Sequence, residues 1–426
     1  MRARLFPMLA GLLAVAILAP AVIIGLDIVR EPGAGTRAAP ASSDSRALVA
    51  RGAYLARAGN CMACHTSVGG AAYAGGRAIH TPFGDIYASN LTPDAATGLG
   101  AWSADDFWRA LHNGKGKDGR FLYPAFPYTN TTKVTREDAD ALYAYLRSLP
   151  PVRQATPAPA LAFPFNQRLL LPLWRFLYFT PGEFQPDPAR SVAWNRGAYL
   201  VQGLGHCNAC HTARGALGGS AGRELAGGMI PMLGWHAASL TDRPGLGDPA
   251  ELAQLLGSGV SARAAVFGPM AEVVRGSLQY LEAADVQAIA SYLVSLPPTQ
   301  PDLPEAPAMT ASLQAALARG AALYKNHCAS CHQADGSGAA GAYPALAGSR
   351  SLREAGATNA VRMVLYGGFP PSTRGNPRPY GMPPFGPNLS DAEVADVVTY
   401  VRQQWGVPGV ELEARDVQRL RTVPVE

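Results

Sequence analysis

The sequence predicts an all-α protein, with three small helical domains in tandem behind an N-terminal transmembrane anchor. Three observations predict it. The pattern Cys-x-x-Cys-His occurs three times, beginning at Cys61, Cys207 and Cys328. A five-residue repeat precedes each copy: Arg51-Gly-Ala-Tyr-Leu55, Arg196-Gly-Ala-Tyr-Leu200 and Arg319-Gly-Ala-Ala-Leu323. Ahead of all of them, Leu5 to Leu26 is an uncharged, almost wholly apolar run of 22 residues, long enough to span a bilayer as a helix.

Arg2 and Arg4 before that run favour a cytoplasmic N-terminus with the remainder exported. Ala19-Pro20-Ala21 also resembles a small-residue cleavage site, so residues 1–30 are a membrane anchor or a signal, and 31–45, rich in Gly, Ala, Pro and Ser, a flexible linker. Either reading places the rest on the periplasmic side of the inner membrane.

The three motifs carry the chemistry. Cys-x-x-Cys-His is the attachment pattern of a c-type haem: two thiols form thioethers and the adjacent histidine ligates the iron. One copy would compete with a zinc or dithiol reading. Three copies use all six cysteines of the chain, and no disulfide framework remains. The expectation is three covalently bound haem c groups, held by Cys61, Cys64, Cys207, Cys210, Cys328 and Cys331, with His65, His211 and His332 on the irons. The net charge of +5 comes without any Lys/Arg run that would track phosphates, which argues against nucleic acid.

Each unit closes with apolar residues at helical spacing: Ala139, Leu142, Tyr143 and Leu146, then Val286, Ile289, Ala290 and Leu293, then Val394, Val397, Val398 and Val401. Thr135 with Asp138 and Ser390 with Glu393 are capping signals. Gly52, Gly197 and Gly320 would let each opening helix approach its closing helix. A helical unit wrapped round one haem is a class I cytochrome c domain, and the boundaries fall at 46–152, 190–299 and 315–408. Between them lie an apolar connector at 153–189 and a Pro-rich linker at 300–314, with a charged tail at 409–426. The connector's aromatic stretch, Leu161 to Phe184, reads either as packing between domains or as a contact surface for a membrane, quinone or partner.

A distal methionine is expected on the loop before each closing helix. Met270, in Phe267-Gly-Pro-Met270, and Met382, in Tyr380-Gly-Met382, fit units two and three. Unit one has Phe126 in Tyr123-Pro-Ala-Phe126, and phenylalanine cannot coordinate iron. His112 and His80 are the free histidines there, and His112 is the preferred sixth ligand; an open first haem is the alternative. His206, His236 and His327 are expected to pack or face solvent.

These stretches, with Tyr87-Ala-Ser-Asn-Leu-Thr-Pro-Asp94, Lys117-Asp-Gly119 and Gln279-Tyr-Leu281, resemble the tri-haem cytochrome c subunits of membrane-bound bacterial dehydrogenases. The resemblance runs from about Ala47 to Gly406. It implies an electron-transfer subunit that takes electrons from a catalytic dehydrogenase and passes them to ubiquinone or a terminal oxidase, with substrate oxidation left to the partner. The alcohol and gluconate branches have Pro-Ala-Met-Pro where Phe126 stands. The Phe is similar to the branch serving molybdopterin and iron–sulfur dehydrogenases of aldehydes or N-heterocycles. Two rivals stay open: a haem enzyme or gas- or peroxide-reactive cytochrome acting at an open first haem, and a subunit of a quinoprotein alcohol or flavoprotein gluconate dehydrogenase.

Overall fold

A computed structural model of the chain describes residues 45–242, 246–298, 308–354 and 356–423. Its frame is three helix pairs. The opening helices are Ser45–Ala58, Val192–Gln202 and Ala311–His327, and the closing helices are Arg136–Arg147, Ala283–Ser295 and Asp391–Trp405. Each pair is the spine of a separate apolar core: Leu55 with Leu142 and Leu146 in unit one, Leu200 with Ile289 and Leu293 in unit two, Tyr324 with Val397 and Val401 in unit three.

The pairs close because glycine stands at each crossing. A Cβ on Gly52 would lie 1.9 Å from the Ala141 carbonyl oxygen, one on Gly197 2.0 Å from that of Ala288, and one on Gly320 2.2 Å from that of Asp396. The closing helices start where the capping signals place them. Thr135 Oγ1 accepts from the Asp138 amide, and Ser390 and Glu393 form a reciprocal capping box.

The all-α expectation is corrected by two small sheets. Strands β1 (Ala78–Thr81) and β2 (Gly84–Tyr87) form an antiparallel hairpin, with β3 (Ala160–Leu161) added to its open edge. In unit two, β4 (Gly228–Ile230) pairs with β5 (Trp235–Ala237), with Met229 opposite His236. Strands of two to four residues are too short to display an alternating pattern. The transmembrane part of that expectation is also corrected: no helix among the described residues is long and apolar enough to cross a membrane, and Leu5 to Leu26 lies outside the described residues.

The apolar connector folds back on unit one as a helix, Leu171–Tyr178, with its polarity inverted. Its one cation, Arg175, is fully buried. The guanidinium sits 4.4 Å from the Phe121 ring and 4.6 Å from that of Phe179, and it donates to the Asn113 carbonyl. Leu169, Leu173 and Leu177 are exposed instead, as is Phe163.

Units one and two are joined by an exchange of tyrosines. Arg51 pairs with Asp138 in unit one, and Tyr199 of unit two donates to the other oxygen of that carboxylate at 2.6 Å. Reciprocally, Arg196 pairs with Asp285 in unit two, and Tyr54 of unit one donates to Asp285 at 2.6 Å. Burial, followed by the bond to Asp285, pushes the Tyr54 phenol up to about 12, so it remains a donor. Unit three has Ala322 at this place in the repeat and keeps only the internal pair, Arg319 with Asp396. One side chain therefore separates the two units that pair in this way from the third. Tyr199→Phe strands a carboxylate oxygen on Asp138, whose side chain is 2% exposed, and is expected to cost about 1.5–3 kcal/mol. Urea unfolding measures it, and Tyr324→Phe serves as a comparison within unit three.

Candidate functional site

Each Cys-x-x-Cys-His stretch is wound as a helical turn, in which the histidine amide donates to the first cysteine's carbonyl at 3.0 Å (His65), 2.9 Å (His211) and 3.0 Å (His332). Positions i, i+3 and i+4 of such a turn share one face, which sets both thiols and the imidazole side by side. No disulfide joins any of the six cysteines. As unmodified thiols, Cys61 and Cys207 are pushed up to about 12 and Cys328 to about 11 by burial and then by the neighbouring thiol. In units one and two an arginine reaches back to the turn: Arg77 donates to the Ala63 carbonyl at 3.0 Å and Arg214 to that of Ala209 at 2.6 Å.

The three histidines share one further arrangement. His65 Nδ1 lies 2.7 Å from the Ser89 carbonyl, His211 Nδ1 2.7 Å from that of Ala238, and His332 Nδ1 3.0 Å from that of Pro344. A carbonyl can only accept, so Nδ1 carries the proton and Nε2 presents its lone pair. Burial lowers all three imidazoles, His211 to about 4, which keeps them neutral. A neutral imidazole with one nitrogen held by a carbonyl is an oriented metal ligand.

The short strands missed by sequence reasoning build this support. Hairpin β1–β2 ends at Tyr87 and delivers Ser89, and β4–β5 ends at Ala237 and delivers Ala238. A glycine closes the loop in every unit. The amides of Gly75, Gly227 and Gly338 donate to the carbonyls of His65, His211 and His332 at 2.9, 2.8 and 3.0 Å. All three glycines have positive φ, and a Cβ on any of them would come within 2.4 to 2.8 Å of the carbonyl loop. A sequence signal existed. Leucine follows the accepting residue by two positions in each unit (Leu91, Leu240, Leu346), and each packs on its own unit's core.

Met270 borders the same core as Cys207, near the start of helix Pro269–Gly276. Met382 is fixed through its backbone, with amide and carbonyl both bonded to Gly368 at 2.8 and 3.0 Å. Phe126 borders the core that Cys61 borders. His112, 5% exposed, stacks on Trp108 at 4.5 Å and bonds to the Thr132 backbone, while its Nδ1 has no hydrogen-bond partner. His80 pairs with Asp85 at 2.7 Å on the exposed hairpin.

The first two motifs lie close together. His206 Nε2 approaches the Gly59 carbonyl at 3.4 Å, and Asn208, inside the second motif, accepts from Asn130 of unit one at 2.6 Å. Unit three meets unit two at the second support loop. Asn359 accepts from the His236 amide at 2.9 Å and donates to the His236 carbonyl at 2.8 Å.

The model of one protein family, described as cytochrome c, matches residues 49–150 and 317–405. The chain is 40% identical over 408 residues to the cytochrome c subunit of the quinone alcohol dehydrogenase of Gluconacetobacter polyoxogenes, covering 91% of this chain and 87% of that protein. It is 41% identical to the gluconate 2-dehydrogenase cytochrome c subunit of Pantoea cypripedii, over 91% of this chain and 93% of that one. It is 43% identical over 385 residues to one of the subunits of the nicotinate dehydrogenase of Pseudomonas putida, covering 88% of this chain and 31% of that longer protein.

Proposed function

The chain belongs to the cytochrome c subunits of bacterial dehydrogenases, and from that membership we propose that it relays electrons from a catalytic dehydrogenase through three covalent haems, one in each unit. The observation that carries the reading is the threefold support of a Cys-x-x-Cys-His histidine by a backbone carbonyl through Nδ1. A bound haem supplies one-electron chemistry between ferrous and ferric iron. The chain's residues do the rest: the cysteine pairs hold the group, His65, His211 and His332 present Nε2, and Met270 and Met382 serve as the second axial ligands in units two and three. For unit one the proposed ligand is His112, which brings a buried, unpartnered nitrogen.

Contacts between consecutive units support a linear order in which the middle haem links the outer two. Nothing in this scheme asks the chain for a substrate acid or base, so substrate oxidation belongs to the partner. A partner of the molybdopterin and iron–sulfur kind, oxidising an aldehyde or an N-heterocycle, agrees with Phe126 and with the nicotinate relative. Ubiquinone or a terminal oxidase is the proposed acceptor. The proposed location is the periplasmic side of the inner membrane, and the outward leucines of Leu171–Tyr178 offer a surface for the complex or the membrane there.

Purification of the tagged chain from its native membranes tests this. The expected result is a copurifying dehydrogenase whose substrate reduces the haems; a chain recovered alone, its haems unmoved by nicotinate, aldehydes, alcohols or gluconate, contradicts it. Prompt, stoichiometric carbon monoxide binding to one reduced haem would instead favour an open first site.

A further inference from the structure

Between units two and three, the two histidine supports are cross-braced. Ala238 holds His211, and the carbonyl of the next residue, Ser239, accepts from Arg350 Nη1 of unit three at 3.1 Å. Pro344 holds His332, and the amide of the next residue, Ala345, donates to the Arg263 carbonyl of unit two at 3.2 Å. Only the first of these braces brings a charge. In unit one the corresponding residue, Asn90, bonds through its amide to Val152 and Thr97 of its own unit.

We propose that Arg350 is a positioning residue that acts across the domain interface to set the reduction potential of the haem in unit two. The inference rests on the reading that this haem is attached at Cys207 and Cys210 with His211 as ligand. The guanidinium stands one peptide away from the carbonyl that His211 bonds. Asp242, 5% exposed, opposes its charge and also pairs with Arg353 at 3.6 Å. Oxidation of iron adds a positive charge. A fixed cation in a poorly solvated interface disfavours that state, since Coulomb energies grow as the effective dielectric falls. Arg350 thus raises the potential of the middle haem, and Asp242 moderates it.

The test is an optical and EPR-resolved redox titration of the full-length holoprotein. Arg350→Gln is expected to lower the potential of one haem by about 59 mV, a tenfold shift in its reduced-to-oxidised ratio. Arg350→Lys, which keeps the charge, should stay near wild type, and Asp242→Asn should move the same haem upward. An unmoved potential in Arg350→Gln, an equal fall in Arg350→Lys, or a common shift of all three haems overturns the proposal. Intact mass separates the two layers: fewer than three haems on the wild-type chain defeats the underlying reading, whereas three haems with an unmoved potential defeats this inference alone.

Discussion

Gly197→Ala is expected to destabilise the protein by about 3 kcal/mol, although alanine is the better helix former by about 1 kcal/mol. The reason is the crossing. A Cβ there would stand 2.0 Å from the Ala288 oxygen, 2.5 Å from its carbon and 2.9 Å from Tyr292 Cβ, all of them backbone or backbone-proximal atoms that cannot swing aside. The helices must separate, and the core of Leu200, Ile289 and Leu293 opens with them. Gly257 provides the control. It lies in helix Pro249–Ser258, where the nearest atom to an added Cβ is Val286 Cγ1 at 3.9 Å, so Gly257→Ala should stabilise by up to about 1 kcal/mol. Urea unfolding of the holoproteins measures both. Opposite signs are expected, and a neutral Gly197→Ala would show that the helix pair is not closed at that point.

Replacement of both Cys207 and Cys210 by alanine is expected to remove one haem and stop transfer between the other two. The middle motif meets unit one through Asn208 and the adjacent His206, and the support loop of its histidine, from His236 to Ser239, meets unit three. Loss of its haem leaves the outer sites without an intermediate. After reduction of the haem nearer the donor, the remaining haem should reduce only at the background rate, with two haems still attached by mass. The corresponding replacement of Cys328 and Cys331 should leave exchange between the first two haems intact. Full-rate transfer in the protein lacking the middle haem would contradict a linear order.

Much of the frame is legible in the sequence because it is set by local chemistry. The apolar spacing of Val394 to Val401, the caps at Thr135 and Ser390, and the glycine of each Arg-Gly-Ala repeat all act within one helix or one crossing. The repeat even encodes which units exchange tyrosines, since Tyr54 and Tyr199 are replaced by Ala322 in unit three. The support of the histidines was less legible. Ser89, Ala238 and Pro344 contribute only a backbone carbonyl, which no side chain announces, and the strands that deliver two of them are too short to alternate. The inverted connector helix was hidden for a related reason. Leu171 to Tyr178 reads as packing between domains or as a contact surface. Nothing in the pattern announces that its arginine is drawn inward by Phe121, Phe179 and the Asn113 carbonyl beside a buried Leu171 while Leu173 and Leu177 are left outside.

The proposed electron relay requires one covalent haem in each of the three supported sites. Intact-mass spectrometry of the purified chain under denaturing conditions tests it most directly, because thioether-bound haem survives unfolding and ligand-bound haem does not. Three haem masses added to the polypeptide are predicted, with one lost for each motif whose cysteines are replaced. A chain carrying two or fewer, or one whose haem dissociates on denaturation, would contradict it.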